Sequence, residues 1–427
     1  MVYLWGLLYN VIVYPIIFIL ANIFSLFNEK LREGILGRRS SLKYLKIYFK
    51  SIDLNTNIYW FHAASLGEFY QVKPVLEGLK DVDPNIKAIL SFSSPSGYNN
   101  AVSKSIDLKI YMPYDFIWSI RKALKIARPK KIIFASYDIW PNMIWIAKSR
   151  NIHLNIFAAR VKDNSIKLRA GFSSFYRSLY RSINTIYTVA EKDSKRIKKI
   201  VGNVNHPKIK ILGNPRYDMV MNTADDFTSE HTNSVLLREK RIIIGSAHKE
   251  DDDFIIPGLI EIMKFDPSIK ILYAPHEPVE LEIERIKLKF KDYGYSVSVH
   301  KKKKSLKLPE DQIVILGVVG LLSKLYWQGQ IAFVGGGLST GIHNVMEPAI
   351  ARLPVLFGPK YQHAHEAEEL LEYGGGFCVE NQDDFTRVIT DLINNENNFT
   401  KVSLAATDVI HKNLGSSTRI IRSLIRD

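Results

Sequence analysis

Ile331-Ala-Phe-Val-Gly335-Gly-Gly-Leu-Ser-Thr-Gly341-Ile-His343-Asn344-Val-Met-Glu347-Pro-Ala-Ile-Ala-Arg-Leu-Pro-Val355-Leu-Phe-Gly358-Pro359 is the stretch whose reading decides the fold. A four-residue apolar run ends in three glycines, a helix is predicted to follow, and a second apolar run closes at Gly358-Pro359. Strand, glycine-rich turn and helix in that order present backbone N–H groups to a phosphate. The pattern places His343, Asn344 and Glu347 in the first turns of that helix, with His343 and Glu347 on one face at i, i+4 spacing. A carboxylate able to hold ribose hydroxyls beside an anion-binding turn reads as a nucleotide-sugar site. The plainer alternative is an ordinary strand-to-helix turn with polar first-turn residues.

Outward from this stretch, apolar runs alternate with helix-like segments. Ile58–Phe61, Ala88–Phe92, Lys131–Phe134, Leu154–Phe157 and Thr185–Val189 read as strands, each followed by an amphipathic stretch. After Gly213-Asn214-Pro215 the pattern restarts with Arg241–Ile244, Lys270–Tyr273, Ile313–Leu316, Ile331–Val334 and Val355–Phe357. Repeated βα units predict an α/β protein with two doubly wound, Rossmann-like domains. The expected division is 1–28, 29–213, 214–407, and a last helix within 408–427 that returns to the first domain. Two such domains facing a cleft are the GT-B arrangement, with the strand C-termini of each lining it.

Residues 1–28 contain no charged side chain, and Lys30, Arg32, Arg38, Arg39, Lys43 and Lys46 follow. An uncleaved N-terminal membrane-anchor helix with a basic cytoplasmic flank is expected. Asn10, Pro15 and Asn22 interrupt the run, so a helix lying in the interface or a hairpin broken at Pro15 stays open. The formal net charge is +15, and between Phe116 and Arg216 there are 22 Lys or Arg against four acidic residues. Such a bias fits an anionic membrane surface or a phosphorylated substrate; no nucleic-acid motif accompanies it. The single cysteine, Cys378, excludes an intramolecular disulfide and a multi-cysteine zinc site, and reads as a buried thiol.

Together these motifs resemble the 3-deoxy-D-manno-octulosonic acid (Kdo) transferase family of lipopolysaccharide biosynthesis. The residues that carry the resemblance are Phe61-His-Ala-Ala-Ser-Leu-Gly-Glu68, Tyr111-Met-Pro-Tyr-Asp115, Asp138-Ile-Trp-Pro-Asn142, Gly213-Asn214 with Tyr217-Asp218, the Gly335 to Glu347 segment, and Phe357-Gly-Pro-Lys360. The resemblance implies an inverting glycosyltransferase that moves Kdo from CMP-Kdo to a lipid A precursor. It places the enzyme at the inner membrane with its catalytic domains on the cytoplasmic face. Three departures stand out, one of them Gly317-Val-Val-Gly320-Leu-Leu-Ser323 in place of the family's Asp-Thr-Met-Gly-Glu-Leu-like segment. Ser136-Tyr137-Asp138 replaces a more acidic family segment, and His276-Glu277-Pro278-Val279 lacks the family's arginine.

Attack by a sugar hydroxyl needs a base, and Glu68 matches the family's catalytic carboxylate. Its alternative reading is a helix first-turn acid favoured by the macrodipole. Ser65 and Asp138 are expected on the acceptor side, each with a helix-capping alternative. The departing CMP needs donors and positive charge. Arg216, His248, His276, Gly335, Gly336, Gly337, His343, Asn344, Glu347 and Lys360 are the donor-side candidates. No metal and no cofactor beyond the donor substrate is expected, because the histidines lack tight ligand spacing and no Asp-x-Asp-like motif appears. The expected partners are CMP-Kdo, the lipid A precursor and an anionic membrane surface, not nucleic acid. Two rivals stay open: a UDP-sugar glycosyltransferase or epimerase of the same fold, and a non-catalytic membrane-surface protein.

Overall fold

The computed structural model describes residues 2–162, 164–169, 171–228, 234–362 and 364–426. The chain divides into two compact units, Met1–Met219 with Gly415–Asp427, and Val220–Leu414. Each is built on one seven-stranded parallel sheet.

The first sheet contains β1 (Ile58–Ala63), β2 (Lys87–Phe92), β3 (Leu108–Tyr111), β4 (Lys131–Ala135), β5 (His153–Ala159), β6 (Thr185–Thr188) and β7 (Lys208–Ile211). Its order is β3-β2-β1-β4-β5-β6-β7. The second contains β8 (Arg241–Ala247), β9 (Lys270–Pro275), β10 (Val297–His300), β11 (Ile313–Leu316), β12 (Ile331–Val334), β13 (Val355–Phe357) and β14 (Gly376–Cys378), ordered β10-β11-β9-β8-β12-β13-β14. A parallel sheet covered by helices on both faces needs apolar side chains on both faces of its inner strands. The runs Ile58–Ala63 and Ile313–Leu316 are accordingly buried at every position.

Four strands were not anticipated, β3, β7, β10 and β14, and they are the four sheet edges. An edge strand has one neighbour, so its residues stay partly exposed and its sequence lacks the long apolar run; Lys-Ile-Lys-Ile in β7 is the plainest case. Cys378 sits on edge strand β14 and is half-buried rather than buried.

Two further expectations are corrected. The helix after the glycine turn spans only Met346–Ile350, so His343 and Asn344 belong to the loop before it, and His343 does not share a helical face with Glu347. The C-terminal segment is two helices, Glu396–Lys412 and Ser416–Arg426, separated at Gly415, whose φ is +80°. The second of these packs Ile420, Ile421 and Leu424 into the core around Val75, Leu76 and Leu79 of the helix Leu66–Val82. Contact is close enough that a Cβ at Gly78 would lie 2.5 Å from Ile421 Cδ1. Asp218 fixes the entry of the last helix, accepting from Gly415 N and Ser417 N at 2.6 Å each.

Residues Leu4–Phe24 form a helix long and apolar enough to cross a membrane, and most of it is exposed. Its course includes a π-helical turn at Tyr9–Val13, and Pro15 is the second residue of the α-helical segment that follows. One side of it is tied to the first unit. Tyr9 donates to Asp115 Oδ2 at 2.9 Å, Asn10 and Asn142 exchange side-chain hydrogen bonds at 3.0 and 2.8 Å, and Asp115 N donates to the Tyr14 hydroxyl at 2.6 Å. The other side exposes Leu4, Leu7, Val11, Ile16, Leu20 and Ile23.

Candidate active site

In an open parallel sheet, ligands bind at the carboxyl ends of the strands where the chain reverses its direction of winding. In the first sheet that point lies between β1 and β4, and in the second between β8 and β12. Most of the candidate residues collect at these two places.

At the first, His62 closes β1 and is buried. Its Nε2 lies 3.0 Å from Asp138 Oδ2 and 3.1 Å from the indole Nε1 of Trp140; its Nδ1 lies 2.9 Å from Ser91 Oγ. Ser91 donates to Phe61 O at 3.2 Å and accepts from Trp60 Nε1 at 2.8 Å, so it takes the Nδ1 proton of His62 rather than giving one. Ser93 Oγ donates to the same Asp138 oxygen at 2.7 Å. Burial alone raises the Asp138 pKa, but the bonds from His62 and Ser93 and the charge of Arg38 outweigh it and hold the group at about 2. Arg38 is itself fixed, donating to Met112 O and Ser93 O at 3.1 and 3.2 Å and lying 4.7 Å from the Trp140 ring centroid.

Glu68 stands in the first turn of the helix Leu66–Val82, whose N-cap is Ser65. Ser65 N donates to Glu68 Oε2 at 3.0 Å, and Ser65 Oγ makes a short bond to the same oxygen. The helix-capping geometry is thus present, and it engages Oε2 only. Burial raises the pKa of the Tyr137 hydroxyl; the negative charges of Glu68 and Asp138 raise it further, while Lys167 and Arg160 oppose them.

At the second point, His248 follows β8, His276 follows β9 and His343 lies in the loop after β12. His248 Nε2 and His343 Nε2 meet head to head at 2.8 Å. The His276 ring stacks on both, with centroids 4.6 and 4.4 Å away. Ser339 Oγ lies 3.1 Å from His248 Nδ1. Ligand atoms of the three imidazoles fall within 4.8 Å of one another, so the fold assembles a cluster that sequence spacing concealed. Such a group can hold an anion when protonated or a transition-metal ion when neutral.

The glycines shape this loop more than they offer donors. Gly335 N donates to Gly245 O at 2.8 Å and Gly336 N to the buried Asp251 Oδ2 at 2.7 Å, so these two amides are not aimed at a phosphate. Asp251 Oδ2 also accepts from His248 N at 2.9 Å, which ties the β8 end to the glycine turn. At Gly337 a Cβ would stand 2.5 Å from the Gly358 backbone, so only glycine fits. Asn344 Oδ1 caps the short helix by accepting from Met346 N at 3.2 Å, while its amide donates to Glu347 Oε1 at 2.8 Å. Lys360 Nζ donates to Leu338 O and Ser339 O, both at 2.8 Å, and clamps the loop. Arg216 belongs to the first unit, at the start of the helix Arg216–Thr228. Sequence reasoning missed His62, Ser93, Arg38 and Asp251; a polar residue ending a buried apolar strand, as His62 does, was the available signal.

Comparison with known proteins agrees with the motif reading. Residues 38–219 match a family model for 3-deoxy-D-manno-octulosonic-acid transferase (kdotransferase). A 3-deoxy-D-manno-octulosonic acid transferase of Chlamydophila psittaci is 26% identical over 349 residues, covering 78% of this chain and 77% of the relative. A bifunctional glycosyltransferase/methyltransferase of Fusobacterium nucleatum is 25% identical over 346 residues, and there the match takes in 79% of this chain but only 53% of the relative. Among solved structures, a UDP-GlcNAc 2-epimerase from Neisseria meningitidis bound to UDP-GlcNAc superposes with a TM-score of 0.62 at 14% identity, covering 87% of this chain and all of that one. That likeness shows the two-domain GT-B-type fold alone. The resemblance to the Kdo transferases extends over most of the chain.

Proposed function

We propose that this chain, which resembles the Kdo transferases over most of its length, transfers Kdo from CMP-Kdo to a lipid A precursor at the cytoplasmic face of the inner membrane. The observation that carries the reading is the carboxylate pair at the switch point of the first sheet, Glu68 in the first turn of the helix after β1 and Asp138 just after β4. An acceptor hydroxyl attacks the anomeric carbon of Kdo, the bond from that carbon to the CMP phosphate oxygen breaks, and the configuration inverts. The hydroxyl proton passes to Glu68 Oε1, the oxygen that Ser65 does not engage. Asp138, held ionised by His62 and Ser93, orients the acceptor.

In the second unit, the His248–His276–His343 cluster, Asn344 and Glu347 receive the CMP half. A single phosphate leaves with one added negative charge, which protein cations suffice to meet, so transfer proceeds without a metal. The exposed apolar side of residues 4–24 and the basic stretch after it hold the enzyme at the anionic surface.

Incubation of the purified chain with CMP-Kdo and a tetraacylated lipid A precursor, followed by mass measurement, tests the reading: a product heavier by Kdo supports it. Calorimetric preference for UDP over CMP would move the assignment to the UDP-sugar rival. Loss of transfer in EDTA, restored by a divalent ion, would overturn the metal-free mechanism.

A further inference from the structure

A pocket of about 390 Å³ opens in the first unit between the apolar helix and the start of the helix Glu29–Phe49. Ile17, Phe18 and Ala21 form one wall, and Gly34 and Ile35 the opposite one. The volume lies in the range of small-ligand sites. Two continuities mark what it takes. Ile17 and Ala21 belong to the helix whose neighbouring residues Ile16, Leu20 and Ile23 form the exposed apolar surface. Its lining also includes Ser93 and Trp140, the two residues that bond to Asp138 and His62. Arg38, over the Trp140 ring, and the exposed Lys30 line it as well.

A slot that adjoins an apolar surface, has apolar walls and includes hydrogen-bonding groups beside a guanidinium matches an amphiphile with a hydrocarbon tail and an anionic head. We propose that this slot receives one acyl chain of the lipid acceptor, drawn from the bilayer along the apolar helix, and so delivers the polar head to Ser93 and Asp138. The inference rests on the acceptor being a lipid, as proposed above, and adds where its tail is held.

The test uses the full chain in lipid nanodiscs carrying a trace of dodecyl phosphate with a diazirine in its tail, irradiated and mapped by peptide mass spectrometry. Label is expected on Ile35, Ser94 or Tyr114, which face the slot. Gly34→Leu fills the slot and should lower that label roughly tenfold, the loss expected when a few methylenes are kept from burial. Gly34→Ala should keep it, since a Cβ there meets nothing nearer than 3.8 Å, at Pro95 and Ser93. Ala21→Phe fills the slot from the opposite wall and guards against a Gly34→Leu protein that fails to fold. Label confined to Ile16, Leu20 and Ile23, or undiminished in both filled variants, overturns the proposal.

Labelling needs no sugar donor, so it stands or falls apart from the transfer reading. With active enzyme, KM for the acylated acceptor should rise in Gly34→Leu while CMP affinity stays unchanged. Equal wild-type KM for acylated and de-acylated acceptors sinks the slot and leaves Kdo transfer standing.

Discussion

The two switch points use histidine in opposite ways. In the first unit His62 is wholly buried between Ser91, Trp140 and Asp138, inside a network whose every member has a defined partner. In the second, His248, His276 and His343 are partly or largely exposed and meet chiefly one another, while the buried carboxylate nearby, Asp251, bonds backbone amides instead of a side chain. The same topological position therefore yields a pre-set charge network in one unit and an exposed histidine cluster beside a braced loop in the other. Burial makes the difference. Where water is excluded, a carboxylate stays charged only if donors and a cation surround it.

Substitutions in the two places should separate these designs. The largest effect is expected from Glu68→Gln. Glutamine keeps the capping geometry but removes the base, so transfer should fall 10²- to 10⁴-fold with unchanged melting and CMP affinity. Normal turnover would reduce Glu68 to a helix-start residue and leave Asp138 as the next candidate base.

Asp251→Ala comes next. It strands the amides of His248 and Gly336 beneath the glycine turn, and should cost about 3 kcal/mol in denaturant unfolding along with CMP binding. A stable variant that still binds CMP would show that the loop holds its shape without this brace.

Asp138→Asn is expected to cost roughly 2 kcal/mol at neutral pH, because the native pKa of about 2 lies below the ordinary 3.8. The sign is set by that depression. The contribution is full above the unfolded value and is lost as pH falls through the folded one, so wild type and variant should converge in stability between about pH 4 and pH 2. Parallel stability curves across that range would mean that the network draws no stability from charge.

The smallest effect is expected at Lys360→Met. Its exposed ammonium bonds only to the Leu338 and Ser339 carbonyls among the described residues, so stability should change by under about 1 kcal/mol. CMP affinity should shift less than roughly threefold by calorimetry. A larger loss would make Lys360 a direct donor-site cation.

Much of this molecule was legible from local pattern. Every inner strand was readable, because a strand buried on both faces writes itself as a continuous apolar run. The glycine turn was readable too, but its role was not: Gly335 and Gly336 spend their amides on Gly245 and Asp251, partners far away in sequence. The edge strands were hidden by their mixed, half-exposed composition.

By itself the sequence determined two parallel βα arrays, an apolar helix at one end, and a set of polar residues at strand ends. These follow from the periodicity of neighbouring residues. Tertiary structure alone decided which of them meet. His62 and Asp138 are 76 positions apart, and His248 and His343 are 95 apart. They touch because β4 lies against β1 and β12 against β8, and such strand order arises from packing the whole sheet rather than from any local stretch. The same holds for Asp115 and Asp218, which stood in the motifs that carry the family resemblance. The fold uses the first to dock Tyr9 and the second to cap the C-terminal helix, since a buried carboxylate goes wherever the tertiary structure leaves unpaired donors to satisfy.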